Sequence, residues 1–87
     1  KVHVFGAMTR ANAGKELAEM GRLYQAGAAL FSDDAFPIQD TLLMRYAMEY
    51  ARQLNRGVAL HCEDKSLAAD GVMNEGPVSL MLGLKGI

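Results

Sequence analysis

Apolar positions along the chain fall into short runs of two kinds. Val2 to Phe5 is apolar and β-branched, closes on Gly6, and reads as a strand. From Gly14 to Ala26 the period changes to that of a helix. Leu17, Met20 and Tyr24 share one face, with Lys15, Glu16, Glu19 and Arg22 largely elsewhere, and Gly27 is a natural stop. Ala28 to Ser32 is apolar without alternation, as expected of a strand covered on both faces, and it stops on Asp33 and Asp34. After the turn signal at Pro37, a second helix is predicted from an N-cap at Asp40 to about Leu54. Its apolar stripe is Leu42, Leu43, Tyr46, Ala47, Tyr50, Ala51 and Leu54. Asn55-Arg56-Gly57 then turns the chain into a third strand, Val58 to Leu60, which ends on His61. A short helical turn at Ser66 to Ala69 and a helix opening at Gly76-Pro77 and running to Gly83 complete the pattern.

Strands alternating with helices predict a parallel sheet with right-handed crossovers. The fold class is α/β, and the order suits part of a (β/α)8 barrel or a small doubly wound sheet. Eighty-seven residues make at most one small domain. The chain starts on Lys1 and ends on Leu84-Lys85-Gly86-Ile87 with no polar tail, so we expect a piece of a longer protein, which favours the barrel.

Composition narrows the function classes. Net charge is −1 with no basic block, which argues against nucleic acid or an anionic membrane as partner. No apolar run approaches the ~18 residues of a membrane span. A single cysteine, Cys62, has no internal disulfide partner and fits a reducing, cytoplasmic compartment.

The chemistry sits at the strand ends, where α/β folds build their sites. Asp34 and His61 fall on the same rim if their strands are neighbours. A carboxylate and an imidazole both suit Zn²⁺, but catalytic zinc takes about three protein ligands plus a water. Strand-end carboxylates also cap helices or bind hydroxyls, so the pattern alone leaves these roles open. Arg10, in the loop after the first strand, reads as a solvated arginine and His3 as a strand residue without a role. Gly21 suits a close approach to a neighbouring strand.

Phe31-Ser32-Asp33-Asp34, Pro37-Ile38-Gln39-Asp40, Leu43-Met44-Arg45 and His61-Cys62-Glu63-Asp64 resemble the bacterial class I dihydroorotases of the amidohydrolase superfamily. So do Gly14-Lys15-Glu16-Leu17-Ala18-Glu19-Met20, Gly71-Val72-Met73-Asn74-Glu75-Gly76 and Leu82-Gly83-Leu84-Lys85-Gly86-Ile87, all in one register. The resemblance implies a (β/α)8 barrel of which residues 1–87 form strands three to five with their helices. It implies a zinc-dependent cyclic amidohydrolase that interconverts N-carbamoyl-L-aspartate and (S)-dihydroorotate in pyrimidine biosynthesis. Two zinc ions per site would activate water and polarise the ring carbonyl. The resemblance assigns Asp34 as the carboxylate bridging the metals and His61 as a ligand to one of them, with Asp33 the neighbour that holds the turn. The family's remaining ligands, its catalytic aspartate and most substrate contacts fall outside this segment, so no catalytic residue is assigned here.

Within the resemblance, Glu63 and Asp64 divide between capping and supporting roles. Cys62 reads as a packed thiol, and Asn74 and Glu75 as residues that tie down their loop. The family commonly has glycine after the aspartate pair, where this chain has Ala35-Phe36. A positive φ there would strain Ala35 by about 1 kcal/mol or more. A rearranged loop, with Phe36 lining the pocket or packing under the rim, is the alternative. Two further readings stand beside the dihydroorotase one: a catalytically inactive subunit that scaffolds aspartate carbamoyltransferase, and a hydantoinase-like amidohydrolase. A Mg²⁺-binding receiver-like domain is a third, but that fold needs a lysine late in the sheet and more strands, and the sequence has neither. The partners expected are a small-molecule substrate, a second copy in a homodimer and aspartate carbamoyltransferase.

Overall fold

The computed structural model describes residues 1–87. β1 (Phe5–Gly6) pairs in parallel with β2 (Leu30–Phe31), Phe5 opposite Leu30 and Gly6 opposite Phe31. A third extended segment joins the other side of β2 through a parallel bridge between Phe31 and Val58. Backbone bonds lengthen the pairing on both sides of β2. Ala29 and Ser32 donate to the Val4 and Gly6 carbonyls at 2.9 and 2.8 Å. Phe31 donates to Gly57 at 3.1 Å, and Ala59 donates back to Phe31 at 2.9 Å. β2 is therefore central, and Phe31 is fully buried.

All three predicted strands are present but shorter than the apolar pattern implied. The first reaches the sheet only at its end, because its partner enters the ladder at Ala29, after the turn at Gly27. Val2 and Val4 stay exposed. The third is a single bridge.

The crossover helices supply the other layer. α1 (Met20–Gln25) starts six residues later than the periodicity predicts. Tertiary pairing takes precedence over helix propensity here. Residues 16–18 fold back on the loop after β1, with Arg10 donating to Glu16 at 3.0 Å and Ala18 to Met8 at 2.9 Å. α2 (Thr41–Gln53) matches its predicted span, and the Asp40 carboxylate accepts from the Leu42 and Leu43 amides at 2.9 and 3.0 Å. Both helices end in the same way. A left-handed residue, Gly27 (φ 106°) or Asn55 (φ 51°), lets its own amide and the next bond back into the last turn: Gly27 and Ala28 to Tyr24 and Leu23, Asn55 and Arg56 to Arg52 and Ala51. In each case the chain is returned directly to the sheet.

The core joins Met8, Met20, Ala28, Phe31, Ala47 and Ala51, with Leu23, Ile38, Met44, Tyr50, Leu54 and Val58 packed around them. α2 thus docks by Met44, Ala47, Ala51 and Leu54, whereas Leu42 and Tyr46 of the predicted stripe are about half exposed. Gly21 does make a close approach, but to α2 and not to a strand. Its amide donates to the Tyr50 hydroxyl at 3.1 Å, and a Cβ at Gly21 would lie 2.9 Å from that oxygen.

α3 (Lys65–Ala68) and α4 (Pro77–Leu82) follow, with residues 72–75 paired against 85–87 around a parallel Met73–Gly86 bridge. This portion buries little of itself: Leu67, Leu80 and Met81 are 80%, 84% and 77% exposed. The Cα radius of gyration is 16.3 Å, against about 12 Å for a compact domain of this length. The segment therefore does not close its own core. No helix is long and apolar enough to cross a membrane.

One polar contact sets the first two loops against each other. Asp33, 2% exposed, accepts from the Met8 and Thr9 amides at 2.7 and 3.0 Å and from the Thr9 hydroxyl. Replacing Asp33 by Ala strands two amides beside a buried hydroxyl, and it should cost about 2–4 kcal/mol. Urea unfolding of the complete protein measures this, with Asp33→Asn expected to lose less.

Candidate functional site

Parallel pairing brings the carboxyl ends of β1, β2 and the Val58 segment to one edge. A shallow depression of about 320 Å³ lies there, lined by Phe5, Ser32, Asp34, Ala35, Ala59, Leu60 and His61. The two residues singled out from the sequence thus share one hollow. A larger groove, about 530 Å³, runs along α2 past Ile38, Met44, Arg45, Met48 and Glu49. Its one acidic group, Glu49, is engaged in the exposed ion pair with Arg45 at 2.9 Å.

The adjacent aspartates divide sharply. Both Asp33 oxygens are engaged with Met8 and Thr9. Asp34 is exposed, and its carboxylate accepts no hydrogen bond from the chain. A tight turn, closed by the Phe36 amide on the Asp33 carbonyl at 3.0 Å, makes Asp34 its first central residue with φ 54°. The Ser32 hydroxyl accepts from the Asp34 amide at 3.0 Å and steadies that conformation. The left-handed position is therefore Asp34 and not Ala35, so the strain that a positive φ would place on Ala35 does not arise. Aspartate tolerates this region better than most residues, so the absent glycine is of little consequence. Phe36 lies outside the depression, in a neighbouring hollow with Asn12, Pro37, Gln39 and Lys65.

His61 sits half exposed, with Nε2 3.0 Å from a Glu63 carboxylate oxygen. When Nε2 carries the proton donated to Glu63, Nδ1 keeps the free lone pair. The Glu63 amide donates to the His61 carbonyl at 3.0 Å, and this tight turn about Cys62 brings the two side chains together. Cys62 is exposed, with Sγ 3.9 Å from the Leu60 carbonyl, so the packed-thiol reading is wrong. Its neighbours form an open loop after the last ladder bond and offer nothing to pack it. Asp64 is used elsewhere, as the N-cap of α3.

Arg10 is exposed and pairs loosely with Glu16 at 3.7 Å, the solvated role expected. Asn74 makes no side-chain hydrogen bond, and Glu75 ties its loop through its backbone amide to Ile87. Gln39 went unnoticed as a functional position, yet its amide spans from the Asp34 loop to the loop after His61. No third His, Cys, Asp or Glu joins Asp34 and His61 closely enough to complete a metal site within these residues.

A parallel α/β segment with an unpaired carboxylate and an imidazole on its carboxyl-end rim is compatible with part of a (β/α)8 barrel. Comparison with known proteins gives the narrower class. A family model described as dihydro-orotase-like matches residues 1–87, and the chain belongs to that family. It is 57% identical over 86 residues to a dihydroorotase of Pelotomaculum thermopropionicum, covering 99% of this chain and 20% of that one. It is 52% identical over 88 residues to a dihydroorotase of Syntrophus aciditrophicus, covering 99% and 21%. A dihydroorotase of Thermoanaerobacter is 47% identical over 87 residues, covering 100% and 20%. The chain thus spans about a fifth of the length of these relatives, consistent with a segment that leaves much apolar surface uncovered.

Asp64 gives this rim a pH dependence. The Ser66 hydroxyl, then the Leu67 and Ser66 amides, hold its carboxyl below the ordinary carboxylate range. A depressed folded pKa means that the cap's contribution is present above the unfolded pKa and is lost as pH falls through the folded value. Protection of the Ser66 and Leu67 amides in the complete protein, measured as exchange relative to the unstructured rate at the same pH, should be lost only below about pH 4, and Asp64→Asn should abolish that dependence.

Proposed function

We propose that this chain supplies strands three to five of the barrel of a dihydroorotase. That enzyme is a zinc-dependent cyclic amidohydrolase interconverting N-carbamoyl-L-aspartate and (S)-dihydroorotate in pyrimidine biosynthesis. The observation that carries the reading is the different fate of Asp33 and Asp34 on a rim shared with His61. One carboxylate is buried and fully bonded, while the other is left without a partner in the same hollow as an imidazole.

The donor set fits zinc, which takes carboxylate oxygen and imidazole nitrogen. Asp34 and His61 would hold it, with the remaining ligands coming from other parts of the complete protein. Bound zinc supplies Lewis acidity, which makes water more acidic and a carbonyl more electrophilic. This chain's own residues supply position. Asp33 anchors the turn from which Asp34 projects, and the Ser32 hydroxyl holds the Asp34 backbone in its left-handed conformation. Glu63 accepts from His61, fixing the ring's tautomer and orientation with Nδ1 free to ligate. Phe5, Ala59 and Leu60 give the hollow apolar walls.

In the complete protein, His61→Ala and Asp34→Ala should each lower bound zinc, measured by metal analysis, and reduce turnover by about 100-fold or more. Unchanged zinc and activity in both variants would refute the ligand assignment. Turnover of dihydroorotate should exceed that of hydantoin. The opposite preference would point to the hydantoinase reading, and turnover of neither to a catalytically inactive subunit.

A further inference from the structure

Gln39 is the residue that joins the two halves of the rim. It immediately precedes the Asp40 cap of α2. Its side-chain amide reaches the loop that follows His61. Nε2 donates to the Glu63 carbonyl at 3.1 Å and to the Pro37 carbonyl at 3.2 Å. Oε1 accepts from the Lys65 amide at 2.8 Å.

A carboxamide placed this way acts as a peptide group of a neighbouring strand. It meets a carbonyl and an amide two residues apart, continuing the pairing beyond the last backbone bond between Ala59 and Phe31. No other hydrogen bond or ion pair ties the His61–Lys65 loop to the β2 side of the rim. Glu63 relays the constraint: its carbonyl is held by Gln39, and its carboxylate contacts the His61 ring. The carboxamide donates with one atom and accepts with the other, which matches a carbonyl and an amide side by side. Asparagine is one methylene short, and glutamate would set a carboxylate oxygen against the Glu63 carbonyl.

We propose that Gln39 is a positioning residue for the metal rim, setting His61 relative to Asp34 by clamping the loop after His61 to the loop that carries Asp34. This inference rests on the zinc reading above, and it assigns Gln39 no contact with metal or substrate.

The test uses the complete protein with Gln39→Glu and Gln39→Ala, and with Asp40→Ala as a control. Asp40→Ala weakens the adjacent helix cap without touching the bonds to Glu63 and Lys65. Four quantities are compared: zinc release into a chelator, the visible spectrum of the cobalt-substituted protein, and, without metal, the unfolding midpoint and amide exchange at Lys65. Both Gln39 variants should release zinc about 10- to 100-fold faster than wild type, shift the cobalt bands and expose the Lys65 amide. Asp40→Ala should lower the midpoint while leaving zinc release and cobalt bands near wild type. Zinc release and spectra in the Gln39 variants that match wild type, or that match Asp40→Ala at equal loss of midpoint, would overturn the inference alone. A wild-type protein that binds no zinc would overturn the functional reading and the inference with it.

Discussion

The structure depends on one buried carboxylate. Asp33 lies at the end of the central strand and takes three hydrogen bonds from Met8 and Thr9, in the loop after β1. A charge so placed is tolerable only because its partners are fixed donors, and those amides would in turn be orphaned without it. The Thr9 hydroxyl also accepts from the Gly14 amide at 3.0 Å, which extends the constraint into the segment that folds back before α1. The rim is thereby held from beneath, and the next residue is left free for chemistry.

The site then follows from local geometry. Once Asp33 is committed downward and its carbonyl closes a turn on Phe36, Asp34 must take the left-handed central position. Its side chain is left in the hollow with no partner from the chain. On the neighbouring segment, the tight turn from His61 to Glu63 brings the Glu63 carboxylate to the His61 ring and leaves Cys62 exposed. Gln39 ties these two loops together where the sheet itself has ended. Strand ends that are hard to fix by backbone pairing alone are thus fixed by side chains that imitate or satisfy backbone groups.

Much of this was legible along the chain. Asp40 and the turn at Asn55 bound α2 as predicted, because caps are local chemistry that packing does not override. The parallel α/β order and the pairing of Asp34 with His61 on one rim also emerged from the pattern of strands ending on polar residues. Other features were not legible. Helical periodicity over Gly14–Ala26 is real, yet residues 16–18 pair with the Met8–Arg10 loop, and α1 waits until Met20. The apolar stripe of α2 is wider than the face that docks, because Leu42 and Tyr46 stay half exposed while Met44, Ala47, Ala51 and Leu54 meet the core around Phe31 and Met20.

By itself, the sequence determined the alternation of elements, the helix caps, the residue types at the strand ends and membership of the dihydro-orotase-like family. These rest on nearest-neighbour chemistry and on similarity in a single register. Only the tertiary structure decided that the Asp33 carboxylate is met by Met8 and Thr9, and that Gln39 joins the Asp34 loop to the loop after His61. Those outcomes depend on hydrogen bonds between residues 24 to 26 positions apart, and no local pattern encodes which partners will meet.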